Sequence, residues 1–345
     1  MAKKYTWSMN VMVERGSLAE SISRKWSEAS IGKVTEPSAL ANGIPSTPEH
    51  DLRFRGGKTI PRLNFVNCYV GGNAAWDAGD VANINNALNA IMNDSLLNNV
   101  MVQYFPAGTE ISATFLGSSF LAGPPHAQVS RGDIDALVSA ALTDRMVSGA
   151  DPDSTVVNLL LPEGTVLTTD EAPSAEVRNL RGAAQERAYK SPSAGYSLGR
   201  AAAATRETAD SKNGLGGYHG SIHADGKTRY FAVGVYSKGD NGIDAFGVPW
   251  KNVVGTFYHE LCEVRTDPNV EDANRNQDLS FIGWNSDQGE ECGDLPIFED
   301  PGLTRVFQEI EVAGAAGKSP VQFQYSNAVH GPEGPIANPN PPSPM

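Results

Sequence analysis

The segment His259-Glu260-Leu261-Cys262-Glu263 sets an imidazole and a carboxylate four residues apart. On a helix such residues lie one turn apart on one face, so His259 and Glu263 can hold a single cation from the same side. Glu260 is rotated by about 100° from His259. That keeps it off the metal but beside a metal-bound water, where a carboxylate can take a proton. The arrangement follows the logic of the His-Glu-x-x-His zinc helix, with Glu263 in the place of the second histidine. An anion in place of a neutral ring lowers the net charge of the site and is expected to make bound water less acidic. Taken alone the pentapeptide is ordinary, because Glu and Leu are common in helices. Its surroundings give it weight: Val253, Val254, Phe257, Tyr258 and Leu261 recur at helical spacing around it, and unpaired ionisable groups are costly inside an apolar helix.

A catalytic zinc takes three protein ligands and keeps one position open. The acidic stretch Gly283 to Asp294 follows at a useful distance and offers the third ligand, with Glu291 and Asp294 as candidates and Glu290 behind them. Between the two blocks, Thr266 to Asp278 is rich in Asp and Asn oxygens. Such oxygens suit calcium, although the spacing is not that of an EF-hand. Cys262 and Cys292 each adjoin a proposed ligand, and buried inert thiols are commoner than thiolate ligands.

Gly217-Tyr218-His219-Gly220-Ser221-Ile222-His223 carries two more histidines. Its glycines argue against a helix, and it is expected to be a loop. From it His219 would reach the cleft as a ligand or as an electrophile near a substrate carbonyl. Gly195-Tyr196-Ser197-Leu198-Gly199 matches the nucleophile elbow by letter, but no buried strand precedes it.

The elements that must position these residues alternate between strand and helix, which argues for an α/β fold: a mixed sheet flanked by helices, one of them the metal-binding helix. Leu63–Val70 alternates in part and meets Gly71-Gly72, a strand and turn. Val81, Ile84, Leu88, Ile91 and Leu96-Leu97 fall on a helical face, with Asp80 as N-cap. Met101–Phe105, Glu110–Leu116 and Ser154–Leu161 read as strands, Ile134–Leu142 as a helix, and Arg229–Tyr236 as a core strand. Pro249 suits the first turn of the chemical helix, and Pro268 stops it near Arg265 or Thr266. Residues 1–57 are polar and turn-rich, an N-terminal extension with a short helix near Leu18–Ile22 that docks on the body or on a partner. Residues 58–315 form the metallohydrolase-like domain, with 170–215 as a surface insertion, and 316–345 form an extended, proline-rich tail.

Composition narrows the function. In 345 residues there are 40 acidic and 27 basic side chains, a net charge of −13. Such a surface repels phosphate backbones and argues against nucleic acid as a partner. Hydrophobic residues at 40% allow a sizeable core. Three cysteines do not make a disulfide framework. The first residues carry no apolar run of signal-peptide length, and no stretch is long enough to span a membrane. The expectation is a protein of the cytoplasm, or one exported by a non-classical route.

The block order resembles bacterial proteins related to the plant phosphate-induced, EXORDIUM-like family. The specific part is Tyr258-His259-Glu260-Leu261-Cys262-Glu263 with Thr266-Asp267-Pro268, then Gly283-Trp284 and Glu291-Cys292-Gly293-Asp294. Asn64–Gly72, Val156–Glu163 and Gly217-Tyr218-His219 match more weakly. The resemblance covers roughly residues 60–300. It implies a zincin-like metal site on His259, Glu263 and a carboxylate from Glu291 or Asp294. The expected activity is that of a zinc-dependent hydrolase, a metallopeptidase acting on peptide or protein, with Glu260 as general base. The alternative is a non-enzymatic component of a larger assembly, joined through the N-terminal extension and the tail, that keeps a structural or vestigial metal. The missing signal peptide and the 170–215 insertion depart from the family pattern and leave compartment and substrate open.

Overall fold

The computed structural model describes residues 11–27, 41, 43–171, 208–300, 302–315 and 317–345. Most of the expected 170–215 insertion, including the Gly195–Gly199 motif, lies outside them, as does much of the N-terminal extension.

Six strands form the main sheet: β1 (Val11–Val13), β2 (Arg62–Val70), β3 (Ser112–Leu121), β4 (Thr155–Leu161), β5 (Leu215–Ala224) and β6 (Lys227–Val235). Their order is β1-β5-β6-β4-β2-β3. The four strands from β6 to β3 run parallel, and β5 and β1 close one side antiparallel. The expected mixed α/β sheet is present. Both faces are covered, so side chains of successive residues enter opposite cores. On β4, Val156 and Leu160 join one core, while Val157, Leu159 and Leu161 join the other.

Helices α1 (Ala78–Met92) and α3 (Pro249–Thr266) bury their apolar residues on the first face. Helix α2 (Ile134–Ala141) and the helix Leu18–Ser27 lie on the second. The N-cap of α1 is Asp77, not the expected Asp80: its carboxylate accepts from the backbone of Gly79 and Asp80. Met101–Phe105 is not a strand either. Asp94 caps a new helix, Ser95–Met101, by accepting from Leu96 and Leu97, and Val102–Tyr104 continues as a 3₁₀ turn. A side-chain cap decided what β-branched and aromatic composition did not.

The hairpin 307–322 lies against α3. Strands β7 (Phe307–Glu311) and β8 (Lys318–Gln322) pair, as do β9 (Gln324–Ser326) and β10 (Gly331–Glu333). The proline-rich end is tied down: Ile336, Asn340 and Ser343 donate backbone hydrogen bonds to Leu96, Asn99 and Gln103.

Helix α3 is buried along nearly its whole length, from Asn252 to Thr266. Val253, Val254, Phe257, Leu261 and Val264 fill the core, each contributing about 1.5–3 kcal/mol. That offsets part of the several kcal/mol that each buried charge costs, and α3 carries four charged or titratable side chains with at most 1% exposure: His259, Glu260, Glu263 and Arg265.

Candidate metal centre

Two local devices place α3 and β5 together. The first is the hairpin between β5 and β6. Asp225 and Gly226 both have positive φ (53° and 70°) and join Ala224 to Lys227, the two-residue turn that suits an Asp-Gly pair. It fixes the register, setting His219 opposite Ala232 and Gly217 opposite Gly234. His219 therefore sits on a strand, not in the expected loop, and faces α3. The second is that glycine pair. A Cβ on Gly217 would stand 2.9 Å from Thr256 Cγ2 and 3.1 Å from Glu260 Oε1, so the helix can lie this close only over glycine.

The third contribution comes from the 283–294 stretch. It is not a plain loop: Trp284–Asn285 pairs with Arg53–Phe54, and a short helix, Asp294–Glu299, follows. Gly293 brings its backbone onto the helix, where a Cβ would lie 2.5 Å from His259 Nδ1 and 2.9 Å from Glu263 Oε1.

Together these elements collect His219, His259, Glu260, Glu263, Glu291 and Asp294, all with 0% exposure. Two sets of three could each hold a metal ion: His219, Glu260 and Glu263, and His259, Glu263 and Asp294, with ligand atoms within 4.8 Å of one another in each set. Of the two expected carboxylates, Asp294 is the one grouped with His259 and Glu263. Glu291 instead faces the other ring, with Oε2 3.5 Å from His219 Nε2. Glu260, expected off the metal, belongs to the His219 set.

The carboxylates share one pattern. Glu263 Oε1 accepts from the backbone N–H of Gly293 and of Asp294, both at 3.1 Å, and Oε2 has no hydrogen-bond partner. Asp294 Oδ2 accepts from the Glu291 backbone at 3.2 Å, and Oδ1 has no partner. Glu260 Oε2 lies 3.1 Å from His219 Nδ1, and Oε1 has no partner. One oxygen of each anchors the group while the other stays bare.

The rings are oriented from behind. Gln322 donates through Nε2 to the Gly293 carbonyl, which turns its Oε1 toward His259 Nδ1 at 2.9 Å. His259 Nδ1 must then carry the proton, leaving the lone pair on Nε2, which has no hydrogen-bond partner. His219 Nε2 lies 3.2 Å from the Asp267 carbonyl. A carbonyl only accepts, so Nε2 carries a proton and Nδ1 turns its lone pair to the carboxylates. Such outer partners fix the tautomer of metal-ligating histidines. Sequence reading missed Gln322 and Asp267; nothing local marks Gln322, which arrives on β8 from the far end of the chain.

The atoms face one another at 3.2 Å (His259 Nε2 to Glu263 Oε2), 3.8 Å (His259 Nε2 to Asp294 Oδ1) and 3.5 Å (His219 Nδ1 to Glu263 Oε2). A tetrahedral ion with bonds of about 2.0–2.2 Å sets its ligand atoms about 3.3–3.6 Å apart. The observed distances bracket that range, so the donor atoms could hold a metal ion. Without one, protons must fill the gap. Burial pushes Glu260 up to about 8, with Glu263 nearby adding to the effect against the opposing contact from His219. Burial and then the Glu263 charge raise Asp294 well above the carboxylate range. Burial opposes a charge on His259, but Glu263 and Asp294 outweigh it and hold the ring above its usual value.

The other expected candidates are committed elsewhere. Desolvation pushes the Cys262 thiol up to about 12, and that of Cys292 well above its ordinary value, so both stay protonated. In the stretch considered for calcium, Asp272 accepts from Arg275 at 2.7 Å and pairs with His223 at 2.9 Å. Among the described residues no helix is long and apolar enough to cross a membrane. No family model, no curated protein and no solved structure matches the chain.

Proposed function

We propose that this protein is a zinc-dependent hydrolase of the metallopeptidase class, with the metal held by His259, Glu263 and Asp294. The observation that carries the reading is the convergence of His259 Nε2, Glu263 Oε2 and Asp294 Oδ1, three buried atoms without hydrogen-bond partners. One imidazole with two carboxylates suits zinc or a neighbouring first-row divalent ion better than the all-oxygen set calcium takes. Zinc held there supplies Lewis acidity toward a carbonyl oxygen and toward water.

The chain's own residues supply the rest. Glu260 Oε1 is the proton acceptor, since Oε2 is engaged by His219. Its raised proton affinity suits a group that takes a proton from water and returns it to a leaving amine near neutral pH. His219 lies beside it, with Nδ1 3.1 Å from Glu260 Oε2. The likeness of the His-Glu-Leu-x-Glu and Thr-Asp-Pro blocks to the EXORDIUM-related bacterial proteins accords with this reading.

A second reading, a metal that serves stability alone, is favoured by one observation: all six residues are at 0% exposure, whereas a catalytic ion needs an open position. Glu260→Gln separates the two. The hydrolase reading expects the variant to keep zinc at the His259 position and to lose at least a hundredfold in cleavage of a mixed peptide library. Equal cleavage by variant and parent removes the general-base role, and no cleavage by zinc-loaded parent protein leaves the structural metal.

A further inference from the structure

Glu263 belongs to both ligand sets. We propose that the centre takes two divalent cations, the second held by His219 Nδ1, Glu260 and Glu263, with the Glu263 carboxylate shared between them. This rests on the first ion sitting at His259, Glu263 and Asp294, and it changes how that site is regulated.

Geometry supports a second position, not a looser version of the first. The two rings approach Glu263 Oε2 independently, His259 Nε2 at 3.2 Å and His219 Nδ1 at 3.5 Å. Each ring is aimed by its own backing acceptor, Gln322 Oε1 for one and the Asp267 carbonyl for the other. A ring that served only to hold Glu260 would not need its lone pair turned toward two carboxylates. Glu263 Oε1 is occupied by two backbone donors, so the bare Oε2 is the atom both ions would share. Two-metal hydrolytic sites hold their ions about 3.5–4 Å apart, and a shared ligand oxygen enforces such a separation.

Charge counting points the same way. One divalent ion at the first position balances Glu263 and Asp294. Glu260 is then left with a bare Oε1 in a fully buried site, and an uncompensated interior charge is strongly unfavourable. A second divalent ion balances Glu260 together with Glu291, whose buried carboxylate lies 3.5 Å from His219 Nε2. It also takes Glu260 away from proton transfer, so the one-ion form is the hydrolytic form and the two-ion form is arrested.

The test is a titration of metal-free protein with Mn²⁺, followed by equilibrium dialysis and electron paramagnetic resonance. The expected result is two equivalents per chain, with a spin-coupled signal replacing the isolated-ion signal as the second binds. His219→Asn, close in size to the ring, should bind one equivalent and show no coupling, while Asp294→Asn should weaken the first ion. Saturation of the parent at one equivalent overturns the proposal, and so does a His219→Asn variant that still binds two. Peptide turnover, read on the same samples with Zn²⁺, should fall at least tenfold between one and two equivalents. Turnover highest at two equivalents overturns the arrest. Two equivalents with no turnover at any loading leave the second site standing and overturn the hydrolase reading alone.

Discussion

The interior holds two polar clusters on the same side of the same sheet, and they are built on opposite rules. In the first, Asn158 donates to Asn67, Asn67 to Asn85, and Asn85 to Ser118, at 2.9, 2.8 and 3.0 Å, while Tyr69 donates to Asn85 at 2.9 Å. Donor meets acceptor along the chain, and of these side chains only Asn158 Oδ1 lacks a partner. In the second, around Glu263, acceptor faces acceptor, and bare atoms stand on His259, Glu260, Glu263 and Asp294. A neutral network that satisfies itself ties strands β4 and β2 to β3 and α1 and asks nothing of the solvent. A charged cluster with its lone pairs turned inward is complete only when protons or cations are supplied.

That contrast makes the second cluster responsive to pH and the first inert. In metal-free protein Glu260 is pushed up to about 8, and Asp267 and Asp294 are raised, by burial first in each case. Between the ordinary carboxylate range and pH 8 the folded chain keeps protons that the unfolded chain has released. Stability therefore falls as pH rises through this window. At about 1.4 kcal/mol per tenfold change in proton affinity, Glu260 alone accounts for on the order of 5 kcal/mol. Urea midpoints in chelator should drop from pH 5 to pH 8. With zinc in excess the drop should vanish, because the ion takes the place of the protons. A midpoint in chelator that rises over this range breaks the comparison.

Gln322→Leu should leave the fold in place and release the His259 ring. Loss of such an outer partner costs roughly 10–100-fold in metal affinity, measured by competition with a chromophoric chelator. Unchanged affinity means that the ring is held by packing and not by the Gln322 amide. Asn67→Ala should do the converse. Stranding the donors and acceptors of the neutral network costs about 1–3 kcal/mol of unfolding free energy, with metal affinity unaltered; a fall in affinity would show that the clusters are coupled.

Much of this was legible in the chain because the period of burial and the spacing of chemistry coincide. The α3 boundaries follow from Pro249 and Pro268, and β2, β4 and β6 from their apolar runs. His259, Glu260 and Glu263 stood out because ionisable groups are costly inside an apolar helix, whereas Glu291 and Asp294 came from an acidic stretch and His219 from a glycine-rich one. What stayed hidden depends on partners far away in sequence. His219 looked like a loop residue because glycines dominated the reading, although Asp225-Gly226 is a hairpin signal, and a hairpin turns the same glycines into a flat seat for α3. Glu291 and Asp294 could not be told apart: both are acidic and three residues apart, and it is the Glu291 N–H, bonded to Asp294 Oδ2, that leaves Oδ1 facing His259. Gln322 lies 63 residues from His259 and carries no local mark of its role. The helix at Ser95–Met101 was obscured by strand-forming residues that an Asp94 cap overrode.

Glu263 is proposed as the focus of a metal centre. The most direct measurement is metal content by mass spectrometry of parent and Glu263→Gln protein, purified with zinc present, dialysed, and checked for native circular dichroism. At least one zinc per parent chain is expected, and less than a tenth of one in the variant. A folded parent with far less than one zinc per chain, or a variant that keeps its zinc, would contradict it.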